Sequence, residues 1–170
     1  MNSIYWSLLQ HKDWHFYIAA TPRHLLYVGS QNQPFTAVSE WVKKKYPKAT
    51  LVENSALLAS YCDEIIEYLE GKRTAFTFPI DYKGTPFQLL VWRALNEIPY
   101  GQTKTYSDIA HYINKPAAVR AVGAAIGANP ILLAVPCHRI VGKNGTLTGY
   151  RGGLEMKKKL LELEKLNAQL

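Results

Sequence analysis

The 170-residue chain is 48% apolar and carries a net charge of +7, which is core material enough for one large or two small domains. It holds no apolar stretch long enough to span a bilayer, and its N-terminus (Met1-Asn2-Ser3-Ile4-Tyr5-Trp6) lacks the basic-then-apolar design of a secretory signal. Two cysteines, Cys62 and Cys137, make no disulfide framework, and no Cys/His cluster has zinc-ligand spacing, so a protein of a reducing cytoplasm is expected.

The first thirty residues read as a β-meander. Residues 4–9, 14–20 and 24–30 are rich in aromatic and β-branched side chains, and His11-Lys12-Asp13 and Thr21-Pro22-Arg23 separate them. A short helix over 37–46 ends at Pro47, with Lys43-Lys44-Lys45 as a solvated helix end. A longer helix over 55–70 places Leu58, Cys62, Ile65, Ile66 and Leu69 on one stripe, with Gly71 just past its end. Cys62 therefore reads as packing. Residues 76–82 look extended, and Asp81-Tyr82-Lys83-Gly84 reads as the turn into a new domain. Residues 1–80 are thus expected to form a small α+β domain.

A second domain, over 85–170, opens with a dense helix start. Thr85 is the N-cap, Pro86 takes the first helical position and Gln88 completes a capping box. That helix stops before Pro99. Thr105 caps a second short helix carrying Ile109, Ala110 and Ile113, and Asn114-Lys115-Pro116 opens a third over 117–126. Two short helices joined by a tight break describe a helix-turn-helix. Residues 141–146 carry the Asn-Gly signature of a hairpin, the place for a wing, and a last helix spans 154–166. The fold class expected is α+β: a meander with helices, then a mostly α winged helix-turn-helix domain.

Charge divides unevenly between the halves, with a net +1 over 1–84 and +6 over 85–170. The second half has the balance of a polyanion-binding domain, or of a merely basic surface. Its third helix is built from Ala117, Ala118, Val119, Ala121, Val122, Gly123, Ala124 and Ala125, with Arg120 as the one long polar side chain. Hydrogen-bonded reading of the major groove needs several Arg, Asn or Gln side chains. A smooth helix with one arginine suits a narrow minor groove; a buried Ala-rich core helix is the other reading.

The most informative residues are Pro136-Cys137-His138-Arg139, which follow the apolar run Ile131-Leu132-Leu133-Ala134-Val135. A cysteine with an imidazole as neighbour is a candidate activated nucleophile, because the thiolate attacks and the thiol does not. A buried cysteine beside a core histidine is the bland alternative.

The run Pro136-Cys137-His138-Arg139-Ile140-Val141 resembles the active-site signature of O6-alkylguanine-DNA alkyltransferases, suicide repair proteins that move an alkyl group from guanine to a cysteine. Pro99-Tyr100-Gly101, Thr105-Tyr106, Arg120-Ala121-Val122-Gly123, Asn129-Pro130 and Gly149-Tyr150-Arg151 fall in the family's order. The resemblance is strong over 85–166 and holds in outline over 1–84, as the family's variable, ribonuclease H-like N-terminal domain. It implies Cys137 as the alkyl acceptor, His138 as the base acting through a water, and Glu164 as the carboxylate orienting that histidine. Asn129 resembles the hinge residue, and Tyr106 the donor to the flipped base. Arg120 resembles the finger that fills the gap in the duplex, on a helix where Ala118, Ala121 and Gly123 approach DNA. Pro136, Ile140, Tyr150 and Arg151 resemble the base pocket.

The partner implied is double-stranded DNA containing O6-alkylguanine, with O4-alkylthymine as a second candidate substrate, acted on by a monomer without a cofactor. Some members hold zinc in the N-terminal domain; with Cys62 as the sole cysteine over 1–84, no metal is expected here. Two departures stand out: Ile140 where Val is commoner, and Gly152 where many bacterial members carry a bulky residue. Two rivals of other classes are a binding-only relative, in which the nucleophile is replaced, and a cysteine hydrolase, which would leave the Arg120 segment without a purpose.

Overall fold

The structure is a computed structural model and describes residues 3–168. The chain divides between Lys83 and Gly84 into two compact units, and the architecture is α+β.

The first unit is a four-stranded sheet with two helices. Strands β1 (Ser3–His11), β2 (Trp14–Ala20) and β3 (Leu25–Val28) form the meander, and β4 (Thr50–Glu53) completes the order β3-β2-β1-β4. The β1–β2 hairpin is antiparallel with Leu8 opposite Tyr17; β4 runs parallel to β1 with Ile4 opposite Leu51. Helix α1 (Phe35–Lys45) covers the sheet through Val38 and Val42, which pack with Ile4, Ala19, Leu26 and Tyr27. Helix α2 (Ser55–Leu69) starts at Asn54, whose side chain accepts from the Leu57 N–H.

One expectation needs correction here and one strand was not foreseen. Strand β4 had no counterpart in the sequence reading, since four residues between two helices carry too little pattern. Residues 76–82, expected to be extended, make one bridge, Ile80 with Leu25 on the edge strand β3. The buried stripe of α2 is Leu58, Tyr61, Ile65, Tyr68 and Leu69; Cys62 and Ile66 are its half-buried margin.

The second unit is mostly helical. Helix α3 (Pro86–Asn96) carries the full capping box, with Thr85 accepting from the Gln88 N–H and Gln88 accepting from the Thr85 N–H. Strand β5 (Lys104–Thr105) leads into α4 (Tyr106–Tyr112), then α5 (Val119–Gly127). Trp92, buried on α3, donates from its indole to Ala125 O at 2.8 Å and so fixes α5 against α3. A 3-10 turn (Cys137–Arg139), strand β6 (Ile140–Val141) and helix α6 (Leu154–Ala168) complete the unit.

The hairpin expected over 141–146 is realised as a turn only. Gly145, at φ 77°, donates to Gly142 O, and Gly142 donates to Thr146 O. No two-stranded ladder follows, because β6 pairs instead in parallel with β5.

Candidate active site

The thiol of Cys137 sits where an irregular apolar segment stops. Over Ile131–Val135 the backbone turns tightly, with Leu133 in the left-handed region at φ 70° and Val135 N–H donating to Ile131 O. Such a conformation is disfavoured for a residue with a Cβ, by about 1–2 kcal/mol, so the surrounding packing must hold it. Ile131, Leu132, Leu133 and Val135 supply that packing, all at most 2% exposed.

Asn129, fully buried, stitches this segment together. Its Oδ1 accepts from Ile131 N–H at 2.9 Å, and its Nδ2 donates to Val135 O at 3.0 Å and to Cys137 Sγ at 3.2 Å. The side chain thus serves both the backbone and the sulfur. Burial pushes the Cys137 thiol above its ordinary range, while the Asn129 donor and the charges of Arg151 and Lys157 pull it back.

Behind the thiol lies a buried charged cluster. His138 Nε2 and Glu164 Oε2 are 2.7 Å apart, and both residues are almost wholly shielded from solvent. With that nitrogen committed to the carboxylate, Nδ1 is the ring's proton-accepting position. Arg139 grips the same carboxylate with a fork, Nε to Oε1 at 2.8 Å and NH2 to Oε2 at 2.9 Å, and Gly101 N–H adds a donor at 3.3 Å. Burial works to raise the pKa of Glu164, but the hydrogen bonds of His138 and Arg139 and the charge of Arg139 outweigh it and hold the carboxyl far below its usual range. Burial lowers the pKa of His138, against the opposing pull of Glu164.

On the other side of the sulfur is a cavity of about 400 Å3, lined by Cys137, Tyr106, Gly123, Ile126, Gly127, Gly149, Tyr150 and Arg151. That volume lies within the range of small-molecule sites, about 300–1,000 Å3. Tyr106 shares a 2.9 Å hydrogen bond with Thr148 Oγ1, and Arg151 Nε donates to Asn129 O at 2.7 Å. These two bonds fasten the loop after β6 to α4 and to the end of α5. Tyr150 points its hydroxyl into the protein, where burial raises its pKa well above the ordinary phenol.

Of the residues singled out in the sequence, Cys137, His138, Glu164, Asn129, Tyr106, Tyr150 and Arg151 come together here. Pro136 and Ile140 are buried next to the thiol's turn but are outside the lining of the cavity. Helix α5 buries Val122, Ala125 and Ile126 and turns Val119, Arg120, Ala121 and Ala124 to solvent, with Gly123 half-buried and Ala118 at its N-cap. It is therefore not a core helix. Arg120 makes no ion pair among the described residues.

The sequence reading assigned no part to Arg139, Thr148 or Lys157. Lys157 is 1% exposed, donates to Thr148 O at 3.3 Å and lies 6.0 Å from the Tyr150 ring. The signal was present: Met156, Lys157, Leu160 and Glu164 share one stripe of α6, and charges on an apolar stripe demand partners. Among the described residues no group of three or more His, Cys, Asp or Glu is placed to hold a metal ion, and no helix is long and apolar enough to cross a membrane.

Comparison with known proteins identifies the family. Residues 86–166 match the 6-O-methylguanine DNA methyltransferase DNA binding domain, and residues 4–82 match the ribonuclease-like domain of the same family. The inducible methylated-DNA--protein-cysteine methyltransferase of Bacillus subtilis is 65% identical over 163 residues, covering 96% of this chain and 91% of that one. The chain belongs to the methylated-DNA--protein-cysteine methyltransferase family. A solved member, Mycobacterium tuberculosis OGT in complex with DNA, superposes with a TM-score of 0.83 at 35% identity, covering 96% of this chain and 94% of that one. The O6-methylguanine-DNA methyltransferase of Pyrococcus kodakaraensis shares the fold, with a TM-score of 0.74 at 24% identity. In this methyltransferase-family chain the buried thiol, the His138–Glu164–Arg139 cluster and the cavity belong to the unit that matches the DNA binding domain.

Proposed function

We propose that this chain repairs O6-alkylguanine in duplex DNA by one irreversible transfer of the alkyl group to Cys137. The observation that carries the reading is a single buried thiol lining a cavity, next in sequence to a buried histidine held on a carboxylate. The α-carbon of the alkyl group bonds to Sγ as its bond to guanine O6 breaks, and the electron pair leaves with the base. The thiol proton passes to His138 Nδ1 through a bridging water, and the Tyr106 hydroxyl donates to the guanine as charge builds on it. Asn129 steadies the developing thiolate by its Nδ2 donor. The resulting thioether has no ready leaving group, so each molecule acts once.

The base must leave the stack to reach the cavity. The exposed face of α5 supports a minor-groove approach: Ala121 and Ala124 leave it smooth, and Arg120 extends from it. The reading includes O4-alkylthymine as a second substrate, a monomer acting in the cytoplasm, and binding to DNA through the 85–170 unit with no cofactor. Cys62 is no rival acceptor, since it lies on α2 in the first unit and outside the lining of the cavity.

Incubation with methylated duplex DNA followed by peptide mass analysis tests this. One methyl on the peptide containing Cys137 is expected, with none on Cys137→Ala, which still binds the alkylated duplex. No adduct would mark a binding-only protein; an acyl form that turns over with esters or amides would mark a hydrolase.

A further inference from the structure

Arg139 stands in the cluster without a part in the transfer just described. It is 8% exposed, three of its nitrogens are engaged, and each engagement is specific. Its Nε and NH2 span both oxygens of Glu164, while NH1 donates to Ile98 O at 2.7 Å and the guanidinium lies 5.6 Å from the Tyr100 ring. A planar fork of this kind matches a carboxylate bidentately and stays charged at every relevant pH. Glu164 Oε2 is therefore shared: His138 approaches it at 2.7 Å and Arg139 at 2.9 Å.

The sharing has a chemical consequence. A buried carboxylate beside an imidazole favours the protonated ring, since its negative charge stabilises the imidazolium. An imidazolium cannot accept a proton from a thiol. A permanent cation on the same carboxylate supplies the neutralisation instead and leaves the imidazole free of that demand.

We infer that Arg139 is a positioning residue that keeps His138 a neutral base, by holding the negative charge of Glu164 that would otherwise draw a proton onto the ring. The inference rests on the reading of Cys137 as acceptor and His138 as base. The charged groups facing His138 agree with it. From the 3-10 turn come Cys137 and Arg139; from α6 come Glu164, which favours the protonated ring, and Lys157, which with Arg139 disfavours it. Glu164 and His138 titrate as a pair, and what Arg139 sets is the pH at which the pair takes up its proton.

The test uses the full chain as Arg139→Met and Arg139→Lys, with transfer from methylated duplex DNA measured as a function of pH and the His138 ring followed by 15N NMR. With the fork removed, the pair is expected to bind its proton about one pH unit or more higher. At the midpoint of the wild-type acid limb the Met variant then reacts about fivefold more slowly; the gap approaches about tenfold at lower pH and closes at high pH. Lysine restores a charge but not the fork, so its shift is smaller. A rate lowered equally at every pH, with the His138 titration unmoved, would reduce Arg139 to scaffolding and overturn the inference. If the Met variant fails to fold, the Lys variant decides: an unmoved acid limb and ring titration refute the proposal. A wild-type protein that forms no Cys137 adduct refutes the parent reading, whereas the NMR titration still judges the role of Arg139.

Discussion

Replacing Asn129 by alanine removes one side chain and three hydrogen bonds. Ile131 N–H, buried, loses its 2.9 Å acceptor, whereas Val135 C=O loses a 3.0 Å donor but keeps the Cys137 N–H at 2.7 Å. A buried polar group left unsatisfied costs about 1–3 kcal/mol, and that cost falls here on Ile131 N–H. In a chain of this size 1 kcal/mol moves Tm by about 2–4 °C, so a fall of roughly 2–12 °C is expected. The third partner is the sulfur. Without the 3.2 Å donor from Nδ2, burial raises the Cys137 thiol further, and transfer slows by more than the fraction of unfolded protein explains. Thermal unfolding and the single-turnover rate, measured together well below the variant's Tm, check both halves. A variant within about 0.5 kcal/mol of wild type, the scatter of ordinary surface substitutions, would refute the claim that this segment depends on Asn129.

Arg120→Ala is expected to slow repair of duplex DNA far more than reaction with the free modified base, because only the duplex requires the flipped state that a finger stabilises. Equal loss on both substrates with a lowered Tm would make Arg120 structural instead. The buried cluster also fixes how stability responds to acid. His138 and Glu164 both have pKa values below those of an unfolded chain, so the unfolded state binds more protons. The stability they contribute is fully present above the ordinary histidine range, about 6.5, and is lost as pH falls through it and through the carboxylate range near about 4.3. Glu164→Gln should remove the part of that dependence in the carboxylate range while the part in the histidine range persists, in a denaturant series over about pH 3–7; an unchanged slope below about pH 5 would contradict the assignment.

Local signals in the sequence were read well where one residue dictates the backbone. Thr85-Pro86-Phe87-Gln88 fixed the start of α3, and the meander followed from alternating apolar runs between polar breaks. What escaped was set by partners far along the chain. Strand β4 exists because β1 offers its free edge, which four residues cannot announce. The ladder expected after Val141 gave way to pairing with β5, a choice made in three dimensions. In the site, the thiol, histidine and carboxylate were legible through a signature. The fork of Arg139 and the bond between Tyr106 and Thr148 were not, because nothing in spacing says that residues 25 or 42 positions apart will meet.

Helix α5 has two faces governed by different demands. On the inner face, Val122, Ala125 and Ile126 are held by packing, and larger or polar side chains there should unfold the unit. On the outer face, Ala121 and Ala124 are exposed, so burial does not demand their smallness. A library screened for thermal tolerance would accept almost any residue at those two positions. The same library screened for survival under alkylating stress would reject the bulky ones, which hold the duplex off like spacers. If the proposed approach to DNA is right, the two maps of tolerance part company residue by residue around one short helix, and the difference outlines the face it turns to the duplex.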